Sequence, residues 1–409
     1  MNVIISRRGF LKSAAVFSSI GVAPAFLTRT AEGARPAIEG FKDDRILVVA
    51  QLGGGNDGLN TLVPYSNDIY YRVRPTIGLK KDRLIRINDD LAANDKLAEF
   101  MKLYDNGEVA IVQGVGYPNP DRSHFRSMEI WHTASESDEF LGHGWIGRYF
   151  DNCCSGAARP QAGVALGKER PQAFDGGRGI GVAFESPQSY GWRPGKGADT
   201  PRNFERINAA QNPVNDTLDF LRHTTSNAIM SSYEVREAAA RVGMKPGAQP
   251  MRRDGDPLQT VAALIRGGLQ TRIYYVSVSG FDTHANQLGT HDNLLERCSA
   301  ALARFQATLK QDGNADRVLT MVFSEFGRRV AQNASGGTDH GTAAPMFLVG
   351  SKVRPGLYGP LPDLNDLEEQ DLKFTTDFRS VYATVLKHWF SVGPEQVLNR
   401  DFKTLPLIA

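Results

Sequence analysis

The sequence predicts an α/β protein, a three-layer sandwich around a mostly parallel central sheet. Three observations point there. Nearly continuous apolar runs of strand length recur at Arg45–Leu52, Val109–Gln113, Ile273–Ser279, Val318–Phe323 and Pro345–Val349, and runs without polar alternation suit strands covered on both faces. Segments with apolar residues at helical spacing lie between several of them. Polar, ligand-type side chains gather just beyond the strand ends, the edge at which α/β sheets bind their ligands. An apolar fraction of 41% and a charged fraction of 22% over 409 residues suit a globular chain with a full core. The formal net charge of +2 makes no general case for nucleic acid as a partner.

At the N-terminus, Ser6-Arg7-Arg8-Gly9-Phe10-Leu11-Lys12 precedes the mildly apolar stretch Ala14–Ala23. A paired arginine ahead of an apolar run too short to span a bilayer resembles a twin-arginine export signal. Such a signal implies the twin-arginine translocase as a partner and a periplasmic or secreted location. Residues 1–34 then form the signal and linker, and 35–409 a single domain. No later apolar run reaches the length of a stable membrane anchor. Three cysteines, Cys153, Cys154 and Cys298, imply no disulfide framework.

The first strand, Arg45–Leu52, runs into Gly53-Gly54-Gly55-Asn56-Asp57-Gly58. Gly53, Gly55 and Gly58 satisfy G-x-G-x-x-G, but a proline and a tyrosine-rich stretch follow where a dinucleotide fold needs a long helix. Asp57 reads as a turn residue or as a metal ligand or substrate contact, and less readily as part of a nucleotide loop. A helix over Asn94–Asn106 leads to the strand Val109–Gln113, which exits into Asp121-Arg122-Ser123-His124 at a helix start. Free N–H groups there favour an anion or alkoxide, although Asp121 or Ser123 can equally be a plain helix cap. Residues 151–257, rich in Gly, Pro and Arg, read as an irregular cap or insertion, with helices expected over Thr217–Arg241 and Leu258–Leu269.

The strand Ile273–Ser279 stops at Gly280-Phe281-Asp282-Thr283-His284, and a helix is expected over His291–Lys310. Strand Val318–Phe323 ends in Ser324-Glu325-Phe326-Gly327-Arg328, and Thr338-Asp339-His340-Gly341 precedes the last apolar run. A C-terminal amphipathic helix, Asp377–Phe390, carries His388 as a packed residue. Asp57, Asp282, His284, Glu325, Asp339 and His340 thus supply carboxylate and imidazole ligands for a divalent metal, zinc or manganese. His284 and His340 lead that set; His124, His143 and His291 rank below them. With a metal present, displacement at phosphorus or sulfur of an anionic ester follows. Either Ser123 or a water is the nucleophile, and Arg122 and Arg328 hold the equatorial oxygens.

The combination G-G-N-D-G-L-N, R-S-H-F, G-F-D-T-H-A-N-Q, S-E-F-G-R and G-G-T-D-H-G behind a twin-arginine signal resembles the domain-of-unknown-function 1501 family over nearly the whole chain. That family resembles the alkaline phosphatase and sulfatase superfamily. The resemblance implies an alkaline-phosphatase-like sheet with metal at its carboxyl edge and Ser123 at the nucleophile's place. Asp282 and His284 then match a metal-binding pair, and His340 the last metal-binding histidine. Two departures stand out: Phe326 occupies the place of a usual histidine, and Gly53 or Gly54 that of an acid. The readings are therefore an exported metal-dependent phosphate- or sulfate-ester hydrolase, a non-catalytic binding or assembly protein on the same fold, and a nucleotide-cofactor oxidoreductase.

Overall fold

The computed structural model describes residue 38 and residues 40–153, 159–191, 216–244 and 256–409, with side chains of the 216–241 helix from residue 227 onward. The candidate export signal and Cys154 lie outside the described residues. Among these residues no helix is long and apolar enough to cross a membrane.

Nine strands form the central sheet: β1 (Ile46–Gly53), β2 (Val109–Gly116), β3 (Gly163–Leu166), β4 (Val182–Phe184), β5 (Ile273–Ser279), β6 (Val318–Phe323), β7 (Ala344–Val349), β8 (Gly356–Tyr358) and β9 (Thr376–Asp377). Their order is β8-β2-β7-β6-β1-β5-β3-β4, with β9 also paired to β2. β1 lies at the centre, parallel to β5 and β6, with Val48 opposite both Tyr274 and Thr320. β7 alone runs antiparallel, between β2 and β6. This makes the sheet mixed but mostly parallel.

The principal helices are α1 (Ala98–Asp105), α2 (His124–Thr133), α3 (Trp145–Cys153), α4 (Asp216–Arg241), α5 (Pro257–Arg266), α6 (Gln287–Gln311) and α7 (Phe378–Thr384). They divide between the two faces because successive strand residues point to opposite sides. Leu47 and Val49 of β1 join a core with Ile130, Tyr149 and Val381 from α2, α3 and α7. Val48 and Ala50 join a second core with Phe100, Val261 and Leu302 from α1, α5 and α6. Burial on both faces explains why these strands read as unbroken apolar runs. The three layers expected from the sequence are present.

Two local outcomes differ from the sequence reading. Part of the stretch at 151–257 is not cap but sheet, since β3 and β4 extend its edge beyond β5. Strands of four and three residues among glycines carry too little pattern to be seen in advance. The C-terminal helix changes to a π turn over Val385–Trp389, and His388 is exposed there rather than packed.

Candidate metal centre

All the segments that carry ligand-type residues meet at one edge of the sheet. Asp282 and His284 follow β5, Glu325 follows β6, and Ser123 and His124 open the helix after β2. His340 precedes β7 rather than following it. Because β7 is antiparallel, its beginning lies at the same edge as the ends of its neighbours.

Asp282 is the hub. Its Oδ1 lies 2.9 Å from His284 Nε2 and 3.1 Å from His340 Nε2, and its Oδ2 lies 3.4 Å from His124 Nε2. His284 Nε2 and His340 Nε2 are 3.0 Å apart. The other ring nitrogens all face outward to oxygen acceptors. His340 Nδ1 is 2.7 Å from the Arg122 carbonyl, His284 Nδ1 is 3.1 Å from Asp339 Oδ1, and His124 Nδ1 is 3.0 Å from Glu325 Oε1. A carbonyl or carboxylate oxygen only accepts, so each Nδ1 carries the proton and donates. With Nδ1 so engaged, each ring turns Nε2 toward the Asp282 carboxylate, as a lone pair in a singly protonated ring and as a second N–H in a doubly protonated one. That arrangement is repulsive unless protons or a cation lie between the groups. An outward Nδ1–H held by a carboxylate or carbonyl is the support usual for metal-ligating histidines.

The mixed nitrogen and oxygen donor set suits a divalent transition metal. The ligand atoms of His124, Asp282 and His340 all lie within 4.8 Å of one another. Asp282 and His284 stay close to half exposed, at 46% and 44% of their side chains, which leaves a side open to solvent. Burial raises the Asp282 carboxyl, but hydrogen bonds from Arg328 and His340 outweigh it and hold the group far below the usual carboxylate range. Asp339 is likewise lowered, by its hydrogen bonds with Asn333 and His284.

The loop after β1 closes the floor of this cluster. Gly54 has φ +116°, and a Cβ there would come within 2.4 Å of the Asp282 amide nitrogen, so glycine is required on both counts. Its N–H donates to Glu325 Oε1 at 2.7 Å, and that of Asn56 donates to Ser324 Oγ at 2.9 Å. These amides are spent inside the protein instead of cradling a pyrophosphate. The helix that follows is four residues long and is capped by Asp57. Phe326 forms a wall, its ring centroid 4.9 Å from that of His124 and 4.7 Å from that of His340.

The remaining candidates fall elsewhere. Asp57 is fully buried away from the cluster and ion-paired to Arg74 at 2.6 Å, and Gln287 also donates to it. Burial raises its carboxyl, while the charge of Arg74 and then that of His291 bring it below the ordinary value. Its oxygens are occupied by these partners and by the cap bonds from Leu59 and Asn60 N–H, so it is not placed to be a metal ligand. Arg328 is buried and donates to the carbonyls of Gly54, Gly55, Phe281 and Thr338 and to Asp282. It positions Asp282 and has no fork left for a substrate. Arg122 pairs with Asp371 at 2.8 Å and Glu369 at 3.0 Å, and what it gives the cluster is its backbone carbonyl. Ser123 is exposed at the N-cap of α2, its hydroxyl making no capping bond. Asp121 instead accepts from the Ser123 N–H at 2.7 Å. His124, ranked low from the sequence, is the residue that completes the cluster.

Residues 109–399 match the family described as "Protein of unknown function (DUF1501)". The chain belongs to the DUF1501 family. No curated protein matches the DUF1501 chain. Solved structures similar to it include the lipoteichoic acid synthase LtaP from Listeria monocytogenes, at 10% identity, 81% and 73% coverage of the two chains and a TM-score of 0.36. The PsFucS1 sulfatase from Pseudoalteromonas sp. is similar at 11% identity, 88% and 70% coverage and a TM-score of 0.38. A protein in the alkaline phosphatase superfamily from Vibrio parahaemolyticus is similar at 11% identity, 90% and 72% coverage and a TM-score of 0.37.

Proposed function

We propose that this DUF1501 protein is an exported, metal-dependent hydrolase of phosphate or sulfate esters. One observation carries the reading: three imidazoles, each with Nδ1 tied outward to an oxygen, turn Nε2 inward on Asp282. His124, His284, His340 and Asp282 would hold a divalent ion, zinc suiting a set of three nitrogens and one oxygen better than manganese. Such an ion supplies Lewis acidity to an ester oxygen. Arg328 fixes the hub carboxylate, and Glu325, Asp339 and the Arg122 carbonyl fix the rings. Ser123 offers an uncommitted hydroxyl beside His124 as the nucleophile. Export follows from the paired arginine and apolar run at the N-terminus, with the twin-arginine translocase as carrier.

A second reading, a non-catalytic binding protein on this fold, is favoured by two features. Phe326 stands where a further imidazole is expected, and both arginines nominated to clamp a tetrahedral anion are spent on protein groups. Elemental analysis of the exported protein, beside His284→Ala and His340→Ala, tests the first reading together with hydrolysis of 4-nitrophenyl phosphate and sulfate. About one equivalent of metal or more, lost in both variants, with turnover that falls in Ser123→Ala, supports the hydrolase. Metal without turnover of either ester leaves the binding protein, and no metal after added zinc or manganese sinks the metallohydrolase.

A further inference from the structure

The motifs that meet at this sheet edge contain residues that ligate nothing in the cluster: Asp57 in G-G-N-D-G-L-N, Thr283 and Gln287 in G-F-D-T-H-A-N-Q, and Thr338 in G-G-T-D-H-G. All four are buried, and they converge on Gln287, the first residue of α6. Its Oε1 accepts from the Thr283 hydroxyl at 3.0 Å and from the Thr338 hydroxyl at 2.5 Å, while its Nε2 donates to Asp57 Oδ2. A carboxylate only accepts, so the amide nitrogen has to face Asp57, and the amide oxygen is left for the two hydroxyls. Glutamate there would set a second carboxylate against Asp57. A hydrocarbon side chain would leave both buried hydroxyls without this acceptor.

The two threonines belong to the two loops that carry the ligands. Thr283 stands between Asp282 and His284, and Thr338 stands two residues before His340. The loops are tied to each other directly, by the Thr338 N–H to the Thr283 carbonyl at 3.2 Å and by Asn333 Nδ2 to the His284 carbonyl at 2.9 Å and to Asp339 Oδ1 at 3.1 Å. Those bonds join loop to loop. Gln287 joins both loops to a helix whose Leu295, Leu302 and Phe305 are set in the core that also takes Val48 of β1 and Tyr274 of β5. The Gln287 N–H holds the Gly336 carbonyl at 2.9 Å, and the side chain extends that hold to the loop after β5. Ligands referred to a rigid element keep their spacing better than ligands carried by loops alone.

We propose that Gln287 is a positioning residue for the cluster, setting the separation of His284 and His340 through the hydroxyls of Thr283 and Thr338. Its bearing on metal rests on the metal-binding part of the hydrolase reading. Two rings held at a fixed spacing before an ion arrives need no reorganisation when it binds, and that preorganisation reads as affinity. What matters at positions 283 and 338 is then the hydroxyl and not the volume of the side chain.

The test compares Thr283→Val and Thr338→Val, which keep the shape and lose the hydroxyl, with Thr283→Ser and Thr338→Ser, which keep the hydroxyl and lose a methyl, beside Gln287→Leu. Zinc affinity of the exported protein is read by competition with a chelator, and the ring signals of His284 and His340 by NMR on metal-free samples. Affinity falls about 10-fold in each valine variant and further in Gln287→Leu, and stays within about 3-fold of wild type in the serine variants. The two ring signals move in the valine variants and hold in the serine variants. A threonine that merely fills space gives the opposite order, because valine preserves the packing that serine gives up. Should Gln287→Leu not fold, the threonine pairs decide alone. Ring signals that hold in both valine variants, or zinc affinity that is the same in the valine and serine variants, overturns the proposal. Zinc bound with no dependence on either hydroxyl removes only the role of Gln287. No zinc in wild type, with ring signals that move in the valine variants, removes only the metal reading and leaves Gln287 positioning the rings.

Discussion

Two aspartates near the same sheet edge, Asp57 and Asp282, sit in opposite kinds of environment. Asp57 is sealed, with Arg74, Gln287 and two backbone N–H groups satisfying its oxygens. Asp282 is half open and faces three imidazoles whose Nε2 atoms converge on it. The first is a closed account of donors and acceptors that holds a loop in place. The second is left incomplete without a cation or added protons, and incompleteness of that kind marks a place where a ligand binds. Burial and partner count, rather than residue type, separate structure from chemistry here.

The largest effect should come from opening the closed network. Arg74→Met leaves the Asp57 carboxylate buried without its partner and should cost about 3–5 kcal/mol in denaturant unfolding, while metal bound per folded molecule stays the same. A drop in metal stoichiometry with stability intact would reverse the assignment. On the open side, His340→Ala should weaken metal affinity by more than about 100-fold, beyond the usual loss from an outer partner. Its melting temperature without metal should hardly move, since the ring sits in a solvent-facing cluster. Asp339→Asn keeps His284 but exchanges its carboxylate partner for an amide, and competition with a chelator should read a loss of about 10- to 100-fold.

A smaller effect sharpens the closed side of the comparison. His132 Nε2 lies 3.1 Å from Tyr275 Oη, and burial pushes its imidazole down to about 4. The unfolded chain then binds more protons between about pH 4 and 6.5, so stability is complete above about pH 6.5 and is lost as pH falls toward 4. Melting temperature measured across that window should fall less steeply in His132→Gln. An unchanged slope would mean that His132 titrates normally in the fold.

The strands β1, β2, β5, β6 and β7 were legible because each is covered on both faces and reads as an apolar run. The direction of β7 was not, since an apolar run has no arrow. Asp282, His284 and His340 could be nominated because they follow or precede such runs. His124 was harder to single out, being one polar residue among several at a helix start, and only its approach to Glu325 across 201 residues reveals its part. Asp57 was over-read for the converse reason. Its partner Arg74 belongs to a tyrosine-rich segment with no recognisable role, and Gln287 lies 230 residues away. Arg328 looked like a clamp because its five hydrogen bonds to protein acceptors are invisible in sequence.

The reversed strand also bears on the order in which the molecule comes together. His340 reaches Asp282 across 58 residues and His124 reaches Glu325 across 201, and neither approach exists until β2, β7, β6, β1 and β5 lie side by side. Contacts of such long range are slow to form. Uptake of zinc by a refolding chain, followed in stopped flow with a chelating dye, should therefore track the slowest phase of sheet assembly, and early capture would show that a partial sheet is enough. On this account the histidine cluster serves as a clock, marking the moment when the last long-range strand has found its place.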